Sequence, residues 1–507
     1  MHSGNSLLVY IVYAAAAAAL TWPMLVSGGA FDHADTLFNS WLLHWNGHAA
    51  LTLQNPLTQP IFHGFTDAAG RSDLLLTQSV PAIPMVAIGM DALRIHNLIF
   101  ILSLALAGFA VHLLARDQGL TEAGSWFAGM AFLFLPFFQS HLWHLQLMSA
   151  GLAVLCIRQA LGFLDDMRGG FWLAVLILLQ GAASLYYWLF VDIAIFLMIV
   201  WACFTDRRKR APALFGWTAL GNLLIVPLVL AHMSNAQSWP MDTVTSTDVA
   251  AFTAPWESSL ILGGIRPSWL GGEAALLPGV TVLVGALFWL VTRKRNDEIH
   301  GGSYFIVLFV FFALFCLGPT LVFWRSEVSP APFRYLGWIP GMGSIRLPAR
   351  AGFLFLLPVV LAAGKTFGRR GWLAASGVLL CLIEVWPGPL DLTPVDKGEQ
   401  NIWIAGRDFD AVLYLPMDPS LDRPERECER LYGSTLHHTP MVNGYSTSLP
   451  EGYRWRAELL NTWPADSARN LARHLDVECV ICEGWADSSA VMVWDDGRQV
   501  VSAVLLD

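Results

Sequence analysis

The sequence predicts a polytopic α-helical membrane protein with about eleven transmembrane helices and a small C-terminal α/β domain outside the bilayer. Three observations predict it. Of 507 residues, 55% are hydrophobic and 14% charged, against roughly 45–50% and about 25% in soluble domains. Apolar runs of about 18 residues or more, the length that crosses a bilayer, recur along most of the chain, and mean hydropathy is +0.51. Charge is also divided unevenly. Residues 387–507 hold 20 Asp/Glu and 10 Lys/Arg, a balance of −10, while the preceding 386 hold 19 and 20, a balance of +1. This composition excludes a disordered chain, a secreted disulfide scaffold and an ordinary cytosolic enzyme. The acidic tail also excludes nucleic acid as a partner, because that needs a basic footprint.

The first apolar run, Leu7 to Val26, has no Lys or Arg before it. It reads as a first transmembrane helix, with a signal peptide as the lesser alternative. Further spans are expected near 95–115, 121–138, 145–163, 171–185, 187–204, 212–231, 276–292, 303–323, 349–364 and 371–386. The basic loops at 206–210, 293–295 and 365–370 mark the cytoplasmic side. That parity leaves no room for another complete crossing at 74–90. The segment is short and carries Pro81 and Pro84, so it is expected to be re-entrant or interfacial. Domain 1–386 is then the membrane body. Its loops 28–94, 232–275 and 324–348 lie on the non-cytoplasmic side, together with the soluble domain 387–507.

Two apparent motifs carry no chemistry. "GKT" at Gly364–Thr366 lacks the earlier glycine of a phosphate loop, since position 359 is Val359. Cys479 and Cys482 form a CxxC inside the strand-like "VECVIC", where residues three apart point to opposite faces, and no second pair accompanies them.

Four polar clusters remain. "FDHADTLFNSW" at 31–41 places Asp32 and Asp35 just after the first helix. On a helical continuation their spacing of three puts both on one face. A carboxylate beside an apolar wall suits a general base, because losing water favours its protonated form; the alternative is capping of an amphipathic helix over 39–53. His141, His144 and Gln146 stand at the mouth of two spans. With no Glu two or three residues on, they read as the polar lining of a cavity ahead of a metal site. "SLYYW" at 184–188 supplies Tyr186 and Tyr187 at a turn, followed by Asp192 within a span, where a carboxylate is costly and functional by default. Arg346 and Arg350, four apart at the start of a span, suit a phosphate or anionic headgroup that guanidinium binds bidentately; the alternative is helix-end anchoring by snorkelling.

The arrangement resembles the GT-C superfamily of membrane glycosyltransferases, which use polyprenyl-phosphate sugars. The resemblance is to a bacterial branch in which D-x-L-F-N-x-W follows helix one, here Asp35, Leu37, Phe38, Asn39 and Trp41. H-L-Q-L matches His144 to Leu147, S-L-Y-Y matches Ser184 to Tyr187, R-x-P-A-R matches Arg346 to Arg350, and N-G-Y-S matches Asn443 to Ser446. Unlike the lipid A and protein-mannosyl members, the loop has no Asp-Glu pair, which leaves the choice of base between Asp35 and Asp32.

The resemblance implies an inverting transfer, on the outer face of a bacterial inner membrane, from a lipid-phosphate-linked donor to a glycan, lipid or protein acceptor. Asp35 or Asp32 is the expected base. Arg346, Arg350, His141, His144, Gln146, Tyr186, Tyr187 and Asn443 are the expected substrate contacts. No cofactor is obligatory, and a divalent metal is the lesser reading. The rival functions are a transporter or flippase of lipid-linked glycans, and a non-catalytic membrane scaffold. The absence of a visible internal repeat favours the enzyme.

In the tail, strands are expected at 411–416, 477–482 and 491–494, with helices at 424–437, 451–461 and 467–475.

Overall fold

Long runs of Leu, Val, Phe and Ala form helices wherever no Pro or Gly interrupts them. The computed structural model describes residues 3–65, 69–233, 243–293, 298–339, 342–485, 487–495 and 500–506. Part of the expected basic loop 293–295 and of the loop 232–275 lies outside these residues.

The chain runs through α1 (Ser3–Leu20), α2 (Trp22–Val26), α3 (Asp35–Leu51), α4 (Leu76–Ser79), α5 (Ala82–Ala87), α6 (Ala92–Asp117), α7 (Glu122–Leu133) and α8 (Pro136–Gln139). It continues through α9 (Ala150–Asp166), α10 (Gly170–Ala183), α11 (Leu185–Cys203), α12 (Ala211–Met233), α13 (Val280–Thr292) and α14 (Gly302–Phe315). A hairpin of β1 (Thr320–Phe323) and β2 (Ser326–Pro330) follows, then α15 (Gly352–Phe367) and α16 (Gly371–Val385). The C-terminal part holds α17 (Glu399–Ala405), β3 (Val412–Leu415), α18 (Pro424–Ser434), α19 (Tyr453–Leu460), α20 (Asp466–His474), β4 (Cys479–Glu483), β5 (Met492–Asp495) and β6 (Val500–Leu505).

Five segments are long and apolar enough to cross a membrane: 92–117, 145–166, 185–203, 211–232 and 348–367. Shorter apolar helices stand at 6–20, 170–183, 280–292, 302–315 and 371–385. The chain is thus a multi-pass membrane protein. Two expected spans need correction. The one at 121–138 stops at Leu133, just before Pro136, which begins a separate short helix. The one at 303–323 ends as helix at Phe315. Gly318, at φ +76°, and Pro319 break it, and "TLVF" then pairs as a strand with β2.

The chain divides into two compact units. The first comprises 1–25, 100–227 and 237–390; the second comprises 26–99, 228–236 and 391–507. The first loop thus joins the tail in one unit, where the sequence had suggested a boundary at 386/387 alone.

In the first unit, α7 and α15 cross closely at glycines. A Cβ on Gly124 would stand 2.6 Å from the Gly364 carbonyl oxygen, the close approach that small residues allow between membrane helices. The Thr121 hydroxyl donates to the Gly368 carbonyl at 2.8 Å, and Phe127 stacks on Phe367 at 4.3 Å. At the start of α13, the Glu384 carboxylate accepts the Thr281 backbone N–H at 2.8 Å, serving as a cap from a neighbouring helix.

In the second unit, the sheet runs β3-β4-β6-β5, with β3 and β4 parallel and the other pairs antiparallel. Strand β6 and helix α17 were not expected from the sequence. The first loop threads into this domain. Ala30 and Thr393 exchange two backbone hydrogen bonds of 2.9 Å, and the Phe62 N–H donates to the Asn443 carbonyl at 3.0 Å. Helix α3 begins four residues before the expected start. Twelve of its seventeen residues are buried, so it is a core helix instead of an amphipathic one. Its Asn46 amide donates to the Leu74 carbonyl and to the Ser79 hydroxyl, both at 2.9 Å, which fastens the 74–90 segment. That segment is two helices of four and six residues interrupted at Pro81, each too short to cross a bilayer.

Candidate functional site

In the second unit, Asp32 and Asp35 do different things. Asp32 Oδ1 accepts the backbone N–H groups of Ala34 (2.9 Å) and Thr36 (3.0 Å), satisfying donors that the first turn of α3 leaves open. Asp35 is the first residue of α3, and its Oδ1 accepts the Tyr445 hydroxyl at 3.3 Å. The Tyr445 ring meets Phe38 edge-on at 5.3 Å, and Phe38 stacks on Trp41 at 5.9 Å. Burial, with the Asp35 charge behind it, pushes the Tyr445 phenol up, so it stays protonated and donates. Asp35 is therefore a carboxylate oriented by a phenol against an aromatic wall. Tyr445 lies inside the N-G-Y-S motif, but nothing in the sequence linked it to Asp35.

Asn443 corrects an expectation. It is wholly buried, its Oδ1 accepts the Tyr414 N–H at 2.8 Å, and its Nδ2 donates to the Tyr414 carbonyl at 3.0 Å and to Glu427 at 3.2 Å. Those bonds consume the amide. Asn443 is buried away from any open surface and holds the loop that carries Tyr445.

The remaining expected residues belong to the first unit, and three of them assemble around a residue the sequence did not single out. His141 and His144 stand on the turn after α8, held by backbone bonds from the His141 N–H to Phe138 (3.1 Å) and from the His144 N–H to His141 (3.0 Å). Glu273, from the loop before α13, approaches both. Its Oε2 is 3.6 Å from His141 Nδ1 and its Oε1 is 3.8 Å from His144 Nε2. Arg350 grips the same carboxylate with a fork, Nε to Oε2 at 2.8 Å and Nη2 to Oε1 at 3.0 Å, and reaches His144 Nε2 at 3.1 Å. Its guanidinium lies over the Tyr186 ring at 5.7 Å, and the Tyr186 hydroxyl accepts the Arg346 backbone N–H at 3.3 Å.

Arg350 is thus a partner of Glu273, a contact that the reading for a phosphate or anionic headgroup did not include. The Arg346 side chain stays exposed. Gln146 lies on the same turn as the histidines, and its carbonyl accepts the Ser149 hydroxyl at 2.8 Å. Tyr187 is wholly buried against Phe353 at 4.5 Å, so it packs instead of lining an open surface. Burial by itself would raise the Glu273 carboxyl, but the Arg350 bonds and charge, then the two histidines, bring it down to about 2. Burial likewise lowers His141 to about 3, so its ring is neutral near pH 7.

A third histidine group lies in the second unit. His44 and His48 are four apart on α3, and His438 reaches them from the tail. The His438 and His48 rings stack at 3.7 Å, and His438 Nε2 is 3.3 Å from His44 Nδ1. Burial lowers His44 to about 4 and His438 to about 3, with neighbouring histidines and Lys397 adding to it, while Asp91 opposes it at His44; burial also lowers His48. Below pH 6.5 the unfolded chain therefore takes up protons that the folded one refuses, so stability is full above that pH and falls between about 6.5 and 3. The slope is at most about 1.4 kcal/mol per pH unit and ring, less for the half-exposed His48. Thermal unfolding of purified protein should show a lower midpoint at pH 5 than at pH 7.5, and His438→Phe, which keeps the stacking, should flatten the difference. An equal drop in that variant would assign the effect elsewhere.

No family model matches the chain, and no curated protein does. Among solved structures, the chain is similar to the single-particle cryo-EM structure of the arabinofuranosyltransferase AftD from Mycobacteria, at a TM-score of 0.60 and 15% identity. The match covers 95% of this chain and 35% of that one, so the chain spans about a third of that neighbour's length. At this identity the likeness is one of fold. It bears out the expected polytopic helical membrane architecture with a small C-terminal sheet domain.

Proposed function

We propose that the chain is a membrane glycosyltransferase that moves a sugar, with inversion, from a polyprenyl-phosphate donor to a glycan, lipid or protein acceptor outside a bacterial inner membrane. The observation that carries this reading is the oriented carboxylate of Asp35 on a fold shared with a solved sugar transferase. In the reaction, the acceptor oxygen bonds to the anomeric carbon from the face opposite the phosphate. The carbon–oxygen bond to phosphate breaks, and lipid phosphate leaves with the electron pair. Asp35 takes the acceptor's proton. Tyr445 positions the carboxylate, and Asp32 fixes the first turn of α3. Incubation of the purified chain with a polyprenyl-phosphate sugar and candidate acceptors should release lipid phosphate. Movement of intact donor across vesicles without release would instead establish the flippase reading.

The orientation follows from Lys/Arg density, with the tail outside and the loops at 206–210 and 365–370 inside. Cys203 is exposed beside the first of these loops and is a native reporter for the inside, while the tail cysteines are all buried. In intact cells, an impermeant maleimide should leave Cys203 unmodified. It should label a cysteine placed at the exposed Asp422 in a Cys203→Ser background. The opposite pattern would invert the topology.

A further inference from the structure

The geometry points to a divalent transition-metal site, of the kind that takes zinc, formed by His141, His144 and Glu273. In sequence the two histidines lacked a nearby acidic partner; the fold supplies one from the loop before α13. Among the described residues these three form the group whose nitrogen and oxygen donors all lie within 4.8 Å of one another. The separations approach those of a shared cation. Bonds of about 2.0–2.2 Å in a tetrahedron set donors about 3.4 Å apart; the two histidine–carboxylate pairs stand at 3.6 and 3.8 Å, and the two histidines offer nitrogens within 4.8 Å of each other.

A second observation concerns His141 alone. Its side chain is 1% exposed, and neither ring nitrogen has a hydrogen bond among the described residues. A buried polar atom left in that state costs about 1–3 kcal/mol, and a cation at Nδ1 removes the cost. The surroundings match those of a metal ligand set. Phe137 meets the His141 ring edge-on at 4.9 Å, and the backbone turn fixes the spacing of the two histidines. Arg350 bonds both oxygens of the carboxylate and fixes its orientation, as outer-shell partners do. When the cation binds, His144 exchanges its Arg350 contact for the metal, and Arg350 stays on Glu273.

Three protein ligands leave a fourth position for water or an anionic oxygen. With one carboxylate, one guanidinium and a divalent ion, the cluster carries about +2, so the fourth ligand it favours is an anion. This inference stands apart from the transferase reading, because its readout is metal bound.

The test uses the full chain, purified in detergent through a tag without histidine, stripped with chelator and loaded with zinc or cobalt. Elemental analysis after gel filtration should find about one zinc per chain, and cobalt should give the intense visible bands of a tetrahedral site. His141→Gln and His144→Gln should each weaken binding by more than about 100-fold, beyond the loss that an outer-shell change produces. His438→Gln, which alters the separate histidine stack, should retain the metal. The proposal is overturned if wild-type chain holds no more zinc than the His141→Gln/His144→Gln double variant, or if His438→Gln abolishes binding. Should the first two variants fail to fold, the wild-type cobalt spectrum decides, since bands of hydrated octahedral cobalt would overturn it.

Discussion

Asp35→Asn should leave the chain folded and lower sugar transfer by about 10²–10⁴-fold, the range a lost general base costs. The amide keeps the size of the carboxylate and can still accept the Tyr445 hydroxyl at its remaining oxygen, so α3 should keep its start. What it cannot do is take the acceptor's proton. The comparison with Asp32→Asn separates chemistry from capping. Asp32 spends one oxygen on two backbone N–H groups, and an asparagine can accept both of them. That variant should lose less than about tenfold, a loss of position more than of proton transfer. Tyr445→Phe should fall between the two, because it frees the carboxylate to rotate without removing it. Release of lipid phosphate by purified variants, with gel filtration as the folding control, gives the three numbers. Full activity in Asp35→Asn would end the assignment.

The largest effect on stability belongs to Arg430. Its guanidinium lies buried between two carboxylates, bonding Glu427 at 2.7 Å and Glu483 at 2.6 Å, and it also donates to the Pro416 carbonyl at 3.0 Å. Arg430 is 3% exposed and Glu427 is fully buried, so the pair has no water to fall back on. The two carboxylates hold the guanidinium strongly protonated against the opposing effect of burial. Arg430→Met keeps much of the volume but strands Glu427 in the interior and leaves Glu483 with Arg426 as its remaining guanidinium partner, which should cost about 3–5 kcal/mol. Burial already favours the neutral form of Glu427, so Arg430→Met with Glu427→Gln should recover part of the loss. Denaturant or thermal unfolding of the two variants measures this. Equal stability of wild type and Arg430→Met would mean that the cluster is hydrated in solution.

The helical body was legible because runs of apolar residues bounded by Gly, Pro and charge carry their own signal. The exceptions are informative. The run 303–323 is apolar throughout, so hydropathy could not tell the helix from the strand that follows it. The cue was the Gly318–Pro319 pair, which ends helices, ahead of the β-forming "TLVF". The tail strands β3 to β5 stood out as short β-branched runs, whereas α17 and β6 were missed.

Each candidate cluster was legible only in part. Asp35 stood out by its place after the first apolar run, and the histidines by their spacing. Tyr445 and Glu273 are set by contacts between distant parts of the chain, which a one-dimensional pattern does not contain. His44 and His48 were four apart in plain view, one helical turn, and that periodicity could have flagged them. Asn443 shows the reverse error. A polar residue in a turn-rich loop looked available to a ligand, and the fold had buried it and engaged both ends of its amide.

The second unit is discontinuous, and that has a consequence for how the protein is made. Residues 26–99 leave the ribosome early, yet the tail they join begins at Asp391. At about 5–20 residues per second, synthesis of residues 100–390 takes about 15–60 s. During that interval Leu37, Trp41 and Leu42, all buried in the finished domain, have no tail to pack against. The membrane body can therefore mature while translation is still under way, but the carboxylate at position 35 must wait for the last quarter of the chain. Any stop codon before residue 391 leaves residues 26–99 without the rest of their domain, which makes them a substrate for quality-control proteases.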